Sequence, residues 1–231
     1  MSVGQDSQRS LSEQAYEQIR QKIVTLALAP SAVVDEARLQ EELGFGRTPI
    51  REALKRLELE RLIDIIPRRG MFVTPINLTD LQRLYEVRLS LECLATKLAA
   101  KRGTAVHWQE MAQVLNQIDQ PDNISPDQLI AVDEACHRII YKAADNQFLD
   151  HSLMALYPLS LRMWHVALSK LGDKKDTIIE YKHIVEHQEI MVALKSGEAE
   201  EAASLMRRHV EAYQQYIENI ILGKSAQLHA A

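Results

Sequence analysis

Four side chains in the second half of the sequence, Asp133, His137, His187 and His209, are of types that bind divalent cations. Asp133 and His137 are four residues apart, which on a helix puts a carboxylate and an imidazole on one face. Alone, such a pair is more often a helix-surface hydrogen bond than a metal site. His187 and His209 flank Ser196-Gly197, ten residues before the glycine and twelve after it. Antiparallel packing of the two helices would bring them to about the same height, roughly 15–18 Å from the turn. His183, four residues before His187, could join or replace it. A second set of chemically capable residues lies near the front of the chain, where Arg47, Thr48, Arg51 and Lys55 fall at the start of one helical segment. Arginine presents two donors matched to guanine O6 and N7, while Lys55 and Arg56, further along, suit phosphate contacts that position a protein on a duplex. A solvated helix face would explain the same basic residues equally well.

The elements that must carry these residues follow from periodicity and punctuation. Ala15, Ile19, Ile23 and Leu26 recur at helical intervals in a segment opened by Ser12 and Glu13 and closed by Pro30. A short helix is expected from Asp35 or Glu36 to Leu43, with Gly44 supplying the turn. A third is expected to start near Thr48 as N-cap, with Pro49 in the first helical position, and to run to about Arg61. On it Ile50, Leu54 and Leu57 form the apolar stripe, leaving Arg51 and Lys55 on another face. Ile63, Ile65 and Ile66, then Pro67-Arg68-Arg69-Gly70, then Met71-Phe72-Val73 read as two strands joined by a basic turn. The turn could place Arg69 and the bare backbone of Gly70 in a minor groove. Three helices and a hairpin describe a winged helix-turn-helix.

From Leu78 the pattern is helical throughout. Thr79 with Gln82 reads as a capping box for a helix to about Arg102, broken by Gly103. Further helices are expected over 104–118, 126–145, 148–171, 175–195 and 198–222. Six helices without a strand point to an antiparallel bundle. The fold expected is mainly α: a winged helix-turn-helix over residues 1–76 and an all-α antiparallel helical bundle over 77–231, with a hinge near Thr74 to Leu78.

Composition bounds the possibilities. The 231 residues are 46% apolar and 26% charged, enough for packed cores, and the longest apolar run is five residues, Ile190 to Leu194, far short of a membrane helix. The polar amino terminus lacks the apolar stretch of a secretory signal, so the cytoplasm is the expected location. Cys93 and Cys136 are too few and too far apart for a disulfide scaffold and read as small buried hydrophobes. The net charge of −5 hides an uneven distribution: Arg47 to Arg69 holds seven basic residues against four acids. A local positive field of this kind suits nucleic acid better than the average does.

The run Leu39-Gln40-Glu41-Glu42-Leu43-Gly44-Phe45-Gly46-Arg47-Thr48-Pro49-Ile50-Arg51-Glu52-Ala53-Leu54 resembles the DNA-binding segment of the GntR family of transcription factors, and the similarity extends through Arg61-Leu62 and the wing. It departs from many relatives in having Gly46 in place of a hydroxyl residue, and from some in having Ala37 in place of an arginine, a role for which the neighbouring Arg38 is a substitute candidate. The resemblance implies a double-stranded operator read by Arg38, Arg47, Thr48, Arg51, Lys55, Arg69 and Gly70, and a homodimer matched to a palindromic site.

Beyond Leu78 the chain resembles the FCD effector domain of the FadR branch of that family, through Leu84 to Glu92, Asp133-Glu134-Ala135-Cys136-His137, Glu186-His187 and Arg208-His209. Metal-containing members carry an Asp, a His four residues later and two further His at corresponding places, which implies Asp133, His137, His187 and His209 as ligands; the match selects His187 over His183. An Asp with three His suits Zn, Ni or Mn. A small carboxylate effector bound at the metal follows from the same resemblance, with Arg88 as a second anchor for its charge, or as a helix partner of Glu92 at i+4. Tyr157, Met163 and Trp164 read as core or cavity wall. Two rival readings are a metal-dependent hydrolase, since such a site activates water, and an architectural DNA-binding protein whose bundle merely dimerises.

Overall fold

A computed structural model describes residues 9–118, 125–171 and 177–223. Among them are nine helices and one two-stranded sheet: α1 (Leu11–Val24), α2 (Glu36–Leu43), α3 (Arg47–Leu59), β1 (Ile63–Ile66), β2 (Gly70–Val73), α4 (Leu78–Arg102), α5 (Ala105–Leu115), α6 (Pro126–Ala143), α7 (Gln147–Leu171), α8 (Thr177–Lys195) and α9 (Ala199–Ile221). They form two compact units, one of residues 1–77 with Pro158–Val166, the other of Leu78–Tyr157 with Ala167 onward.

In the first unit side chains cap the starts of the first two helices. The Ser10 side chain accepts from the Glu13 amide and starts α1, and Asp35 accepts from the Ala37 and Arg38 amides and starts α2. Gly44, at φ +71°, ends α2 in the left-handed region that glycine adopts without strain. Ile19, Ile23, Ile50, Leu54, Leu57, Leu62, Ile63 and Val73 are buried together as its core. Ile63 pairs with Val73 and Ile66 with Gly70 in the antiparallel hairpin. Pro158–Val166 joins this unit, where Leu159 packs on the core and the Arg162 guanidinium donates to the Thr74 carbonyl.

Three starts differ from the sequence expectation. Helix α1 begins at Leu11 behind Ser10, so Ser12, expected to open it, lies inside the first turn. Helix α3 begins at Arg47, with Gly46 as an N-cap that has no side chain to offer, so Thr48 lies inside the first turn. Pro49 is still tolerated there because the first turn's amides need no partner within the helix. Helix α4 begins at Leu78, ahead of Thr79.

The second unit is built from helices. Ser125 and Gln128 form a reciprocal capping box at the start of α6. At α5 the Thr104 amide donates to His107 Nδ1 at 3.1 Å, which gives His107 a capping role the sequence did not reveal. Gly103 is required for space: a Cβ there would stand 2.6 Å from the Ala99 carbonyl oxygen and inside the Trp108 ring. Cys93 and Cys136 are both buried, and burial pushes both thiols up.

Candidate metal centre and nucleic-acid interface

Helices α6, α8 and α9 bring Asp133, His137, His187 and His209 to one point. One donor atom from each lies within 4.8 Å of all the others. Asp133 Oδ1 is 3.8 Å from His137 Nε2, 3.7 Å from His187 Nε2 and 3.5 Å from His209 Nε2. The His187 and His209 ring centroids are 4.4 Å apart, so the two arms of the hairpin meet at one height. The three imidazoles are buried. The side chain of His183 lies outside the described residues.

Surrounding groups fix which ring nitrogens face inward. His137 Nδ1 is 3.1 Å from Glu92 Oε2, and His209 Nδ1 is 2.9 Å from Glu186 Oε2. Each contact engages Nδ1 and turns Nε2 toward Asp133, the arrangement in which carboxylates orient metal-binding imidazoles. Tyr157 donates to the other Asp133 oxygen at 2.7 Å. Tyr157 is thus more than cavity wall.

The donor set fits a divalent cation on structural grounds. Asp133 Oδ1 is buried with no hydrogen bond of its own, and three Nε2 atoms stand just beyond normal hydrogen-bond length. Donors sharing one ion at ~2.1 Å stand about 3–3.5 Å apart, close to what is seen. Burial by itself would raise the Asp133 carboxyl, but the three imidazoles hold it well below the usual carboxylate range.

Glu92 is buried, yet all its charge is answered. Its Oε1 accepts from Arg88 Nη2 at 2.7 Å and from Tyr141 Oη at 2.5 Å. Burial opposes ionisation, but His137 and Arg88 hold Glu92 at about 2. Arg88 is thus the i+4 partner of Glu92, and its guanidinium also lies 5.1 Å from the Tyr157 ring centroid. Tyr141 went unnoticed in the sequence, and Glu92 and Glu186 were noticed without the imidazole contacts they make, although each sits at a helical spacing from, or beside, a recognised residue.

In the first unit, Arg38, Arg47, Thr48, Arg51, Lys55, Arg69 and Gly70 are all exposed. Arg47, Thr48, Arg51 and Lys55 lie along α3; Arg69 ends the β1–β2 turn and Gly70, with φ +110°, opens β2. Arg38 pairs with Glu42 at 2.8 Å, within its own helix. Arg56, expected to suit a phosphate, instead stacks 3.5 Å from the Tyr16 ring centroid and pairs with Glu13 and Glu60. It ties α1 to α3.

Comparison with known proteins agrees with both halves of this description. Residues 11–73 match the model described as bacterial regulatory proteins, gntR family, and residues 83–212 match the FCD domain. The Nta operon transcriptional regulator of Aminobacter aminovorans is 25% identical over 206 residues, covering 89% of this chain and 94% of that protein. The HTH-type transcriptional repressor RspR of Escherichia coli (strain K12) is 23% identical over 213 residues, covering 91% and 90%. Among solved structures, E. coli McbR/YncC superposes with a TM-score of 0.78 at 24% identity, covering 93% of this chain and 99% of that one, and so shares its fold. These relatives are regulators, and the metal-dependent hydrolase reading is set aside.

Proposed function

The chain belongs to the gntR-family transcriptional regulators with an FCD domain, and from that premise we propose a metal-dependent sensor of a small organic acid. In this reading Asp133, His137, His187 and His209 hold Zn, Ni or Mn, and the ion offers open positions to a carboxylate. Arg88, held by Glu92, is the second anchor for the effector's charge. The observation that carries the proposal is Asp133 Oδ1, buried without a hydrogen bond and faced by three imidazole nitrogens.

At the other end Arg47 and Arg51 read base edges in a palindromic operator, while Arg38, Thr48, Lys55, Arg69 and Gly70 contact backbone or groove. A homodimer supplies the two reading heads. An effector alters operator occupancy only by binding two arrangements of the heads with different affinity.

Elemental analysis of the purified protein, compared with His187→Ala and His209→Ala, tests the metal; equal content in all three would end that part of the reading. A thermal-shift screen of small organic acids on metal-loaded protein tests the effector, because a ligand of the folded state raises its melting temperature by mass action. For the reading head, Arg51→Ala should cost about 1–3 kcal/mol of operator binding and relax base preference. Unchanged affinity on a matched duplex would remove Arg51 from the interface.

A further inference from the structure

We infer that Glu36 is a positioning residue that aims both arginines of the reading helix, and so sets base selectivity without touching DNA. The inference rests on the assignment of Arg47 and Arg51 to base reading.

Glu36 is the first residue of α2, in the turn that Asp35 caps, where the helix's amides favour a negative charge. Its carboxylate crosses to α3. Arg51 Nε donates to Glu36 Oε1 and Oε2, each at 3.0 Å, and Arg47 Nε donates to Oε1 at 3.2 Å. Arg47 and Arg51 are four residues apart, on one helix face, so a single acid can hold both. The Glu36 side chain is 20% exposed, against 67% for Arg47 and 52% for Arg51. The acid is tucked under the two cations it holds.

The choice of nitrogen gives the contact its consequence. A guanidinium has five N–H donors in a rigid fork. With Nε engaged by Glu36, the paired terminal nitrogens are the ends left to meet guanine O6 and N7. Long arginine chains lose much rotamer freedom on binding; a shared carboxylate restricts them beforehand. The same acid also lowers the local positive charge, which weakens indiscriminate attraction to phosphates. Glu36 therefore acts in opposite directions on the two kinds of binding: it strengthens recognition of the right sequence and weakens attachment to any other.

The test is anisotropy titration of wild type, Glu36→Ala and Glu36→Gln against two labelled duplexes. One is an operator selected by the wild-type protein from a randomised pool; the other is a scrambled duplex of equal length. For Glu36→Ala the expectation is about a tenfold loss on the operator, with equal or tighter binding to the scrambled duplex. Glu36→Gln, which keeps an acceptor oxygen, should fall between wild type and Glu36→Ala on the operator. Circular dichroism and melting temperature confirm that each variant is folded; a poorly folded variant would lose both duplexes in parallel, and the other substitution then decides. Parallel change on the two duplexes in folded protein, in either direction, overturns the role of Glu36 while leaving DNA reading by α3 intact. A wild type that enriches no sequence from the pool would overturn the base-reading assignment and this inference with it.

Discussion

At the scale of single residues, the proposed metal centre depends as much on the carboxylates behind the imidazoles as on the imidazoles themselves. Glu92 fixes the tautomer and direction of His137, so Glu92→Gln should weaken metal affinity by about 10–100-fold, read by competition with a chromophoric chelator. Wild-type affinity in that variant would mean that His137 is oriented by packing alone. His209 gives a pH dependence. Burial lowers its pKa, but Asp133 and Glu186 outweigh burial and raise it from 6.5 to about 9. A raised folded value means that the imidazolium stabilises the metal-free fold fully below pH 6.5, and that this contribution is lost as pH rises through about 9. If His209 is a ligand as proposed, metal must displace that proton, so uptake at neutral pH should release it, and affinity should strengthen from pH 6.5 to about 9. Calorimetry in buffers of different ionisation enthalpy measures the release; identical heats in every buffer would contradict it. The Asp and His residues were legible in the sequence through the resemblance to the FCD domain, since the helical spacing of Asp133 and His137 alone fits a surface hydrogen bond equally well. The contacts of Glu36, Glu92, Glu186 and Tyr157 with these and other residues were not, because each acts across a gap between elements that periodicity does not encode.

At the scale of elements, the caps and stops written into the sequence predict helix ends well where a side chain does the work. Asp35, Gly44 and Ser125 behave as their types dictate, whereas α1 starts from Ser10 and not from Ser12. The reading fails where the decisive factor is a neighbour. Thr48 has the chemistry of an N-cap, yet the helix starts before it, at Arg47. Gly103 follows α4 as a breaker would, but it lacks the left-handed backbone that only glycine tolerates well; the Trp108 ring and the Ala99 carbonyl leave no room for a Cβ. Gly103→Ala should therefore destabilise the second unit by about 1–3 kcal/mol through overcrowding. That corresponds to a fall of several degrees in melting temperature, and an unchanged melt would show that α4 and α5 can shift apart freely. A glycine needed merely to end a helix would tolerate the same substitution with far less loss.

At the scale of the whole molecule, a division into a reader and a bundle was expected from the switch to helices at Leu78. What the linear order concealed is that neither unit is one uninterrupted stretch: the chain leaves the second after Tyr157 and re-enters it at Ala167. Truncation is where this matters. A fragment ending at residue 77 lacks Leu159, which completes the apolar packing of the first unit, and Arg162, which satisfies the Thr74 carbonyl. Such a fragment should exchange its core amide hydrogens faster than the same residues do in the intact polypeptide, by a factor set by about 1–3 kcal/mol of lost burial and bonding. Equal protection would show that the α7 segment is dispensable to the reader. Dissecting this protein at the apparent boundary, or grafting its front end onto another sensor, therefore leaves behind part of what keeps that front end folded.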